Sequence, residues 1–339
     1  MTTSPHPGSP APSAAPGPLR VGIVGTGGIA RAHLPGWREV GAELHCHSEV
    51  GAQQFAAEAG ATAHDSLQQL LAAVDVVDVC TPTPSHPGIV RAALDAGRDV
   101  LCEKPLALDP AEARDLVEQA DRAGRLLFPA HVVRYFPQYA AAKRAIDTGA
   151  VGTLAVLRFE RTGSLPDRSW YADDELSGGI VMDQMIHDID QALWMAGPVQ
   201  RVFAQQSIAA SDSAVRTAHV VLTHRSGALS HCRGFWGPPG TQFRYTFDLA
   251  GDAGLLQYDS AGDPGIVFDA VAAARHTTGD GFLPDVSAVR DPYTAEIVDF
   301  ATALAGGAPA RVEAADGALA VEISHAALES LRTGRSITC

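Results

Sequence analysis

The run Val21-Gly22-Ile23-Val24-Gly25-Thr26-Gly27-Gly28-Ile29-Ala30 narrows most sharply what this chain can fold into. An apolar stretch beginning at Leu19 ends in glycines, and the glycines open a helical pattern. Gly25, Gly27 and Ala30 fit the G-x-G-x-x-A spacing of a first strand–helix turn that carries a dinucleotide. Gly25 permits the tight turn, Gly27 lets a pyrophosphate approach the backbone, and Ala30 lets helix and strand pack closely. The helix N-terminus then presents unpaired N–H groups to the phosphates. Gly25, Thr26, Gly27, Gly28 and Ile29 are therefore expected to hold the cofactor, NAD or NADP.

The rest of the first half supports that placement. Short Val-rich runs at Asp75 to Cys80, Asp99 to Cys102 and Leu126 to Ala130 do not alternate in polarity, as suits strands buried on both faces of a parallel sheet. Between two of them, Ala113, Leu116, Val117 and Ala120 recur at helical spacing after Asp109-Pro110. Such alternation implies right-handed βαβ units and a doubly wound sheet over residues 19–130.

The pattern changes near residue 130. Helical segments are expected at Pro137 to Thr148 and Gly179 to Ala196. Period-2 segments follow at Val199–Ser207, Val215–His224, Ala228–Trp236 and Gln242–Leu249, with turn residues between them. Two helices, Pro292–Leu304 and Ala315–Arg332, close the chain. Residues 131–339 thus read as an α+β unit with an open, largely antiparallel sheet that binds substrate and mediates oligomerisation. The fold class is α/β.

Composition excludes several partners. The 339 residues carry a formal net charge of −14, which repels nucleic-acid phosphates and anionic membranes alike. No apolar stretch is long enough to span a bilayer. Five cysteines, Cys46, Cys80, Cys102, Cys232 and Cys339, form no C-x-x-C pair, so neither a disulfide framework nor a cysteine zinc site is expected. This usage suits a reducing cytoplasm. Residues 1–18, rich in Pro, Ala, Ser and Gly, read as a disordered tail.

The second strand should end in an acidic residue that holds the ribose hydroxyls. The stretch Leu44-His45-Cys46-His47-Ser48-Glu49 offers Ser48 at that position with Glu49 beside it. Ser48 tolerates a 2′-phosphate, yet no Lys or Arg follows to bind one, and the choice between NAD and NADP stays open.

Further motifs carry a resemblance. Cys102-Glu103-Lys104-Pro105-Leu106 follows a strand, and Cys80-Thr81-Pro82-Thr83-Pro84-Ser85-His86 precedes it. Downstream come Arg134, Pro137, Gly149-Ala150-Val151-Gly152, Gly178-Gly179 and Asp183-Gln184-Met185-Ile186-His187-Asp188. In this order and spacing the chain resembles the Gfo/Idh/MocA oxidoreductases, the group of glucose–fructose oxidoreductase and inositol dehydrogenase, over about residues 19–336. The resemblance implies hydride transfer between nicotinamide and a sugar, inositol or related polyol, and a homo-oligomer (dimer or tetramer). Asp183 and His187 have the i, i+4 spacing of half a zinc site, but no H-E-x-x-H or third ligand appears, so no metal is expected. It places Thr81, Pro82, His86, Glu103 and Lys104 against the cofactor, with Pro105 in a positioned turn. It makes Lys104, Asp183 and His187 the catalytic set, and puts Trp170 and Tyr171 where members close over the site.

The chemistry asks for these types independently. Oxidising a secondary alcohol needs a proton acceptor titrating near neutrality, which suits His187. It also needs a fixed cation beside the developing alkoxide, which suits Lys104. Asp183, one helical turn before His187, shares its face and is assigned to substrate hydroxyls, or else orients the imidazole. Asp188 and Asp190 read as helix-surface or interface charges. His131, Arg134 and Tyr135 either line the cleft or serve structure. Two other functions carry the same motifs: a cofactor-recycling glycoside cleavage or elimination enzyme, and a non-catalytic dinucleotide sensor.

Overall fold

The computed structural model describes residues 17–165, 169–209, 215–262, 266–270 and 290–339. The tail expected at the N-terminus lies outside these residues up to residue 16.

Six strands form the first sheet: β1 (Arg20–Val24), β2 (Glu43–His47), β3 (Thr62–Ala63), β4 (Val76–Val79), β5 (Asp99–Glu103) and β6 (Leu127–Ala130). Their order is β3-β2-β1-β4-β5-β6, and every pairing is parallel. β4 is buried at all four residues, which is why its sequence does not alternate. The helix Pro110–Ala123 starts where the sequence places it, with the Asp109 side chain accepting from the N–H groups of Ala111 and Glu112.

Eight strands form the second sheet: β7 (Leu154–Ser164), β8 (Val199–Ile208), β9 (Arg216–His224), β10 (Leu229–Gly237), β11 (Arg244–Gly251), β12 (Gly254–Asp259), β13 (Val267–Ala270) and β14 (Ile337–Thr338). The order is β13-β12-β11-β7-β10-β9-β8-β14, antiparallel throughout except for the parallel pair β7 and β10. β7 sits in the middle of this sheet, and no period-2 segment marked it in the sequence. Its inner positions carry Leu157, Phe159 and Arg161, so a charge interrupts the apolar alternation.

The closing helices return to the first sheet. The helix Pro292–Leu304 packs on the helix Gly28–Glu39 so closely that a Cβ on Gly36 would lie 2.8 Å from Ile297 Cδ1. The helix Ala314–Thr333 buries Ala318, Ala320 and Val321 in the core of the first sheet, and Ile323, Ala326 and Ala327 in that of the second. One continuous helix thus joins the two cores.

Candidate active site

At the cofactor end, Gly25 has φ +90°, and a Cβ there would lie 2.7 Å from the Cys80 carbonyl oxygen, so only glycine fits. Its N–H donates to the His47 carbonyl at the end of β2 (2.9 Å). The helix Gly28–Glu39 begins at Gly27 with no side-chain cap and no acidic residue in its first turn. Those N–H groups are available to an anion, and the loop fits a dinucleotide pyrophosphate. Ser48 follows β2 directly and is half-buried, and Glu49 is exposed. Thr26 Oγ1 donates to the Val50 carbonyl (2.9 Å), which folds the 48–51 turn against the glycine loop.

Thr81 and Pro82 follow β4, across from that loop. The Thr81 hydroxyl accepts from Ser85 Oγ (2.7 Å). His86 is buried, with Nδ1 2.8 Å from the Pro105 carbonyl and Nε2 2.8 Å from the Thr81 carbonyl. Burial lowers its pKa, so the neutral ring donates to one of these two carbonyls and lies against the other. The Lys104–Pro105 peptide is cis.

β5 delivers Glu103 and Lys104 at its C-terminal end, where ligands bind in open α/β sheets. Opposite stands a π-helical turn, Val181–Met185, continuing into the helix Ile186–Ala196. Such wide turns recur at functional sites. Lys104 Nζ donates to the Asp183 carbonyl (2.7 Å) and to Asp183 Oδ1 (3.2 Å). Burial works against the lysine's charge, but Asp183, then Glu103 and Tyr171, outweigh it and raise its pKa. Lys104 is therefore an ammonium at neutral pH.

His187 lies on the same cavity wall as Asp183. Its Nδ1 is buried without a hydrogen-bond partner. Burial first, then the charges on Lys104 and Arg161, hold this imidazole well below its ordinary range. The expectation of titration near neutrality is corrected here. The sequence could not reveal a second cation at this wall.

The cavity has a volume of about 500 Å³. Besides Lys104, Asp183 and His187, its walls include Arg161, Tyr171, Trp236, Phe243 and Tyr293. Trp170 stacks on Tyr171 at 3.8 Å between ring centroids. Sequence reasoning missed Arg161, Trp236, Phe243 and Tyr293, because strand edges and a distant helix bring them in. The one available signal was an arginine at an inward position of an alternating strand. Arg161 donates to both oxygens of Asp188 through Nη2 (2.9 Å) and Nε (3.4 Å).

Asp188 and Asp190 are buried rather than on a helix surface, and the earlier reading of both is corrected. Asp190 pairs with Arg134, which also reaches Asp316 and the Arg311 carbonyl. Asp188 and Asp190 are each matched by a buried guanidinium, as the cost of an unpaired interior charge requires. Tyr135 donates to Asp299 (2.6 Å). Of the stretch that leaves β6, Val132, Val133 and Phe136 line the cavity; Arg134 and Tyr135 are tied up in the contacts above, and His131 is buried outside the cavity lining.

Comparison with known proteins bears on this geometry. Residues 19–131 match the model described as an oxidoreductase family with an NAD-binding Rossmann fold, and residues 139–257 match the GFO/IDH/MocA C-terminal domain. A myo-inositol 2-dehydrogenase of Thermotoga maritima is 28% identical over 94% of this chain and 98% of its own length. A D-apiose dehydrogenase of Paraburkholderia graminis is 33% identical over 61% of this chain and 58% of its own. The crystal structure of GenD2 from gentamicin A biosynthesis, in complex with NAD, superposes with a TM-score of 0.83 at 26% identity, covering 98% of this chain and 99% of that one. With both halves matched in order and one architecture shared across them, the chain belongs to the Gfo/Idh/MocA family of oxidoreductases.

Proposed function

We propose that this protein is an NAD(P)-dependent dehydrogenase or reductase of a sugar, inositol or related polyol, with Lys104, Asp183 and His187 as its catalytic set. The observation that carries the reading is the meeting of all three side chains in one cavity beside the C-terminal edge of the Rossmann sheet. Gly25, Thr26, Gly27, Gly28, Ile29 and the Thr81–Pro82 and Glu103–Lys104 segments would hold a nicotinamide dinucleotide, which would supply the acceptor for the substrate's hydrogen and its electron pair. The Lys104 ammonium donates to the oxygen of the reacting carbon and stabilises it as alkoxide. His187 Nε2 removes the hydroxyl proton in oxidation and returns it in reduction. The Asp183 carboxylate fixes Lys104 and holds a neighbouring substrate hydroxyl. The aromatic rings of Tyr171, Trp236, Phe243 and Tyr293 cover the apolar faces of a sugar ring and exclude water.

Two coarser features complete the reading. Among the described residues no helix is long and apolar enough to cross a membrane, and all five cysteines are free, which suits the cytoplasm. The second sheet carries exposed Phe203, which lines a groove of about 690 Å³, and exposed Leu229, and a second copy of the chain covers this face in a homo-oligomer.

The deciding experiment measures equilibrium binding of NAD, NADH, NADP and NADPH, with turnover on a polyol and aldose panel in the same preparation. Binding with turnover is expected. Binding without turnover on any polyol or sugar overturns the substrate class, and no dinucleotide binding overturns the whole reading.

A further inference from the structure

The helix Gly28–Glu39 buries Ala30, His33, Leu34 and Trp37, the face that packs on the first sheet. Among these, His33 is an imidazole with no exposed surface, one turn past the glycine loop. His33 Nδ1 lies 2.9 Å from Asp78 Oδ2 on β4, an oxygen that also accepts from Trp37 Nε1 at 2.7 Å. On the far side of the ring, Nε2 lies at ion-pair distance, 3.3 Å, from Glu103 Oε1, and neither of these two buried atoms has a hydrogen-bond partner. The second Glu103 oxygen accepts from the Lys104 N–H at 3.1 Å. One chain of polar groups therefore runs from the cofactor helix through Glu103 to the backbone of Lys104, and Lys104 Nζ extends it to Asp183.

A neutral imidazole offers one donor and one acceptor. Set between two carboxylates, its acceptor nitrogen would face a carboxylate oxygen, a buried mismatch that costs about 1–3 kcal/mol. A proton on each nitrogen gives Asp78 a hydrogen bond and Glu103 an ion-pair partner. Burial opposes that charge, but Asp78, followed by Cys80, outweighs it and lifts His33 well above the ordinary imidazole range. The other groups facing the ring are accounted for. Cys80 Sγ lies 3.3 Å from Asp78 Oδ1 and 3.6 Å from His33 Nδ1, as a thiol kept protonated by burial. The Tyr293 ring is 5.9 Å away. Glu296, fully buried with both oxygens unpartnered, is pushed by burial toward the neutral acid. The ligand atoms of His33, Asp78 and Cys80 lie within 4.8 Å of one another, yet the Asp78 carboxylate already accepts from Trp37 and Cys80.

We propose that His33 is a positioning residue for the reaction: its imidazolium fixes Glu103, and through Glu103 the main chain that carries the Lys104 ammonium. Helix and lysine then move as one unit, and seating the dinucleotide on the glycine loop sets the height of Lys104 above it. The proposal rests on the reading of Lys104 as catalytic.

The test compares two variants that each keep one nitrogen. Asn places its amide near the position of Nδ1, and Gln places its amide near that of Nε2. His33→Gln keeps a donor toward Glu103 and should retain kcat within about threefold of wild type. His33→Asn keeps only the Asp78 contact and should lose at least tenfold, toward the ~100-fold scale of a misplaced reacting group. Both should keep substrate KM and the NADH dissociation constant within about twofold. Equal losses, or a larger loss in His33→Gln, would overturn the proposal, because a merely structural imidazole depends on its Asp78 bond. In the unmutated protein, ¹⁵N-imidazole NMR at pH 7 should show both His33 nitrogens protonated, and Glu103→Gln should remove one of those protons. An unprotonated His33 nitrogen in the unmutated protein overturns the proposal even if neither His33 variant folds. Lys104→Met separates the two readings: wild-type turnover there defeats the functional assignment itself, whatever the His33 variants do.

Discussion

Lys104 Nζ donates to both the main-chain carbonyl and the side-chain carboxylate of Asp183, at 2.7 and 3.2 Å. Two anchors on one residue fix an otherwise flexible ammonium, and Asp183 is itself held by a helix joined to both cores. Lys104→Met keeps the length of the side chain and removes the charge. It should lower kcat by about 100-fold or more, the scale for losing one preorganised charge donor, and leave dinucleotide binding nearly intact. Steady-state kinetics with NADH binding checks this. Turnover near the wild-type rate would remove Lys104 from the mechanism.

His187 sits below its ordinary value of 6.5 because it is buried among cations. A lowered pKa leaves the ring neutral at pH 7, ready to accept a proton in the oxidation direction. The oxidation kcat/KM should therefore stay flat through pH 6.5 and fall only in more acidic buffer, as His187 gains its proton. His187→Asn should abolish that acid limb together with most of the activity. The charges can be tested separately: Lys104→Met removes a positive neighbour, so the His187 C2-proton resonance should titrate at higher pH in that variant. An acid limb at or above the ordinary imidazole range would remove the cations from the account.

The glycine loop, the parallel strands and the helix starting at Pro110 were legible because they rest on local rules: a tight turn, a buried run, a capped start. Lys104, Asp183 and His187 were legible as motif residues, and their meeting follows from where β5 ends and where the turn Val181–Met185 runs into the helix Ile186–Ala196. Arg161 and Tyr293 were not legible. Arg161 enters from a strand whose apolar pattern it interrupts, and Tyr293 arrives from a helix whose place is set by packing on Gly36. Asp188 and Asp190 were misread for a related reason. A carboxylate on a helix is normally solvated, and only the guanidinium supplied by a distant segment makes it an interior group.

In the proposed reading Ser48, which follows β2, faces the ribose hydroxyls and sets cofactor preference. A carboxylate there repels a 2′-phosphate and accepts from the two hydroxyls of NAD. Ser48→Asp should weaken NADP binding relative to NAD by about tenfold, the scale of one added like charge near an exposed phosphate. Fluorescence titration with NADH and NADPH reads the ratio directly. An unchanged ratio would place the ribose elsewhere, with Glu49 the next position to test.

The buried pair of Arg134 and Asp190 separates stability from catalysis. Its shortest contact is 2.6 Å, its side chains are 2% and 1% exposed, and neither residue lines the cavity. Asp190→Ala strands a guanidinium in the interior and should cost about 3–5 kcal/mol, the range for breaking a buried ion pair from one side. Asp316 remains to Arg134 at 2.9 Å, but that carboxylate is 34% exposed and compensates only in part. Replacing both partners by apolar residues, Arg134→Met with Asp190→Leu, removes both interior charges and should recover much of the loss. Urea unfolding of the single and double variants measures the difference. If Asp190→Ala loses less than about 1 kcal/mol, the pair behaves like a surface bridge and interior charge matching does not govern this helix.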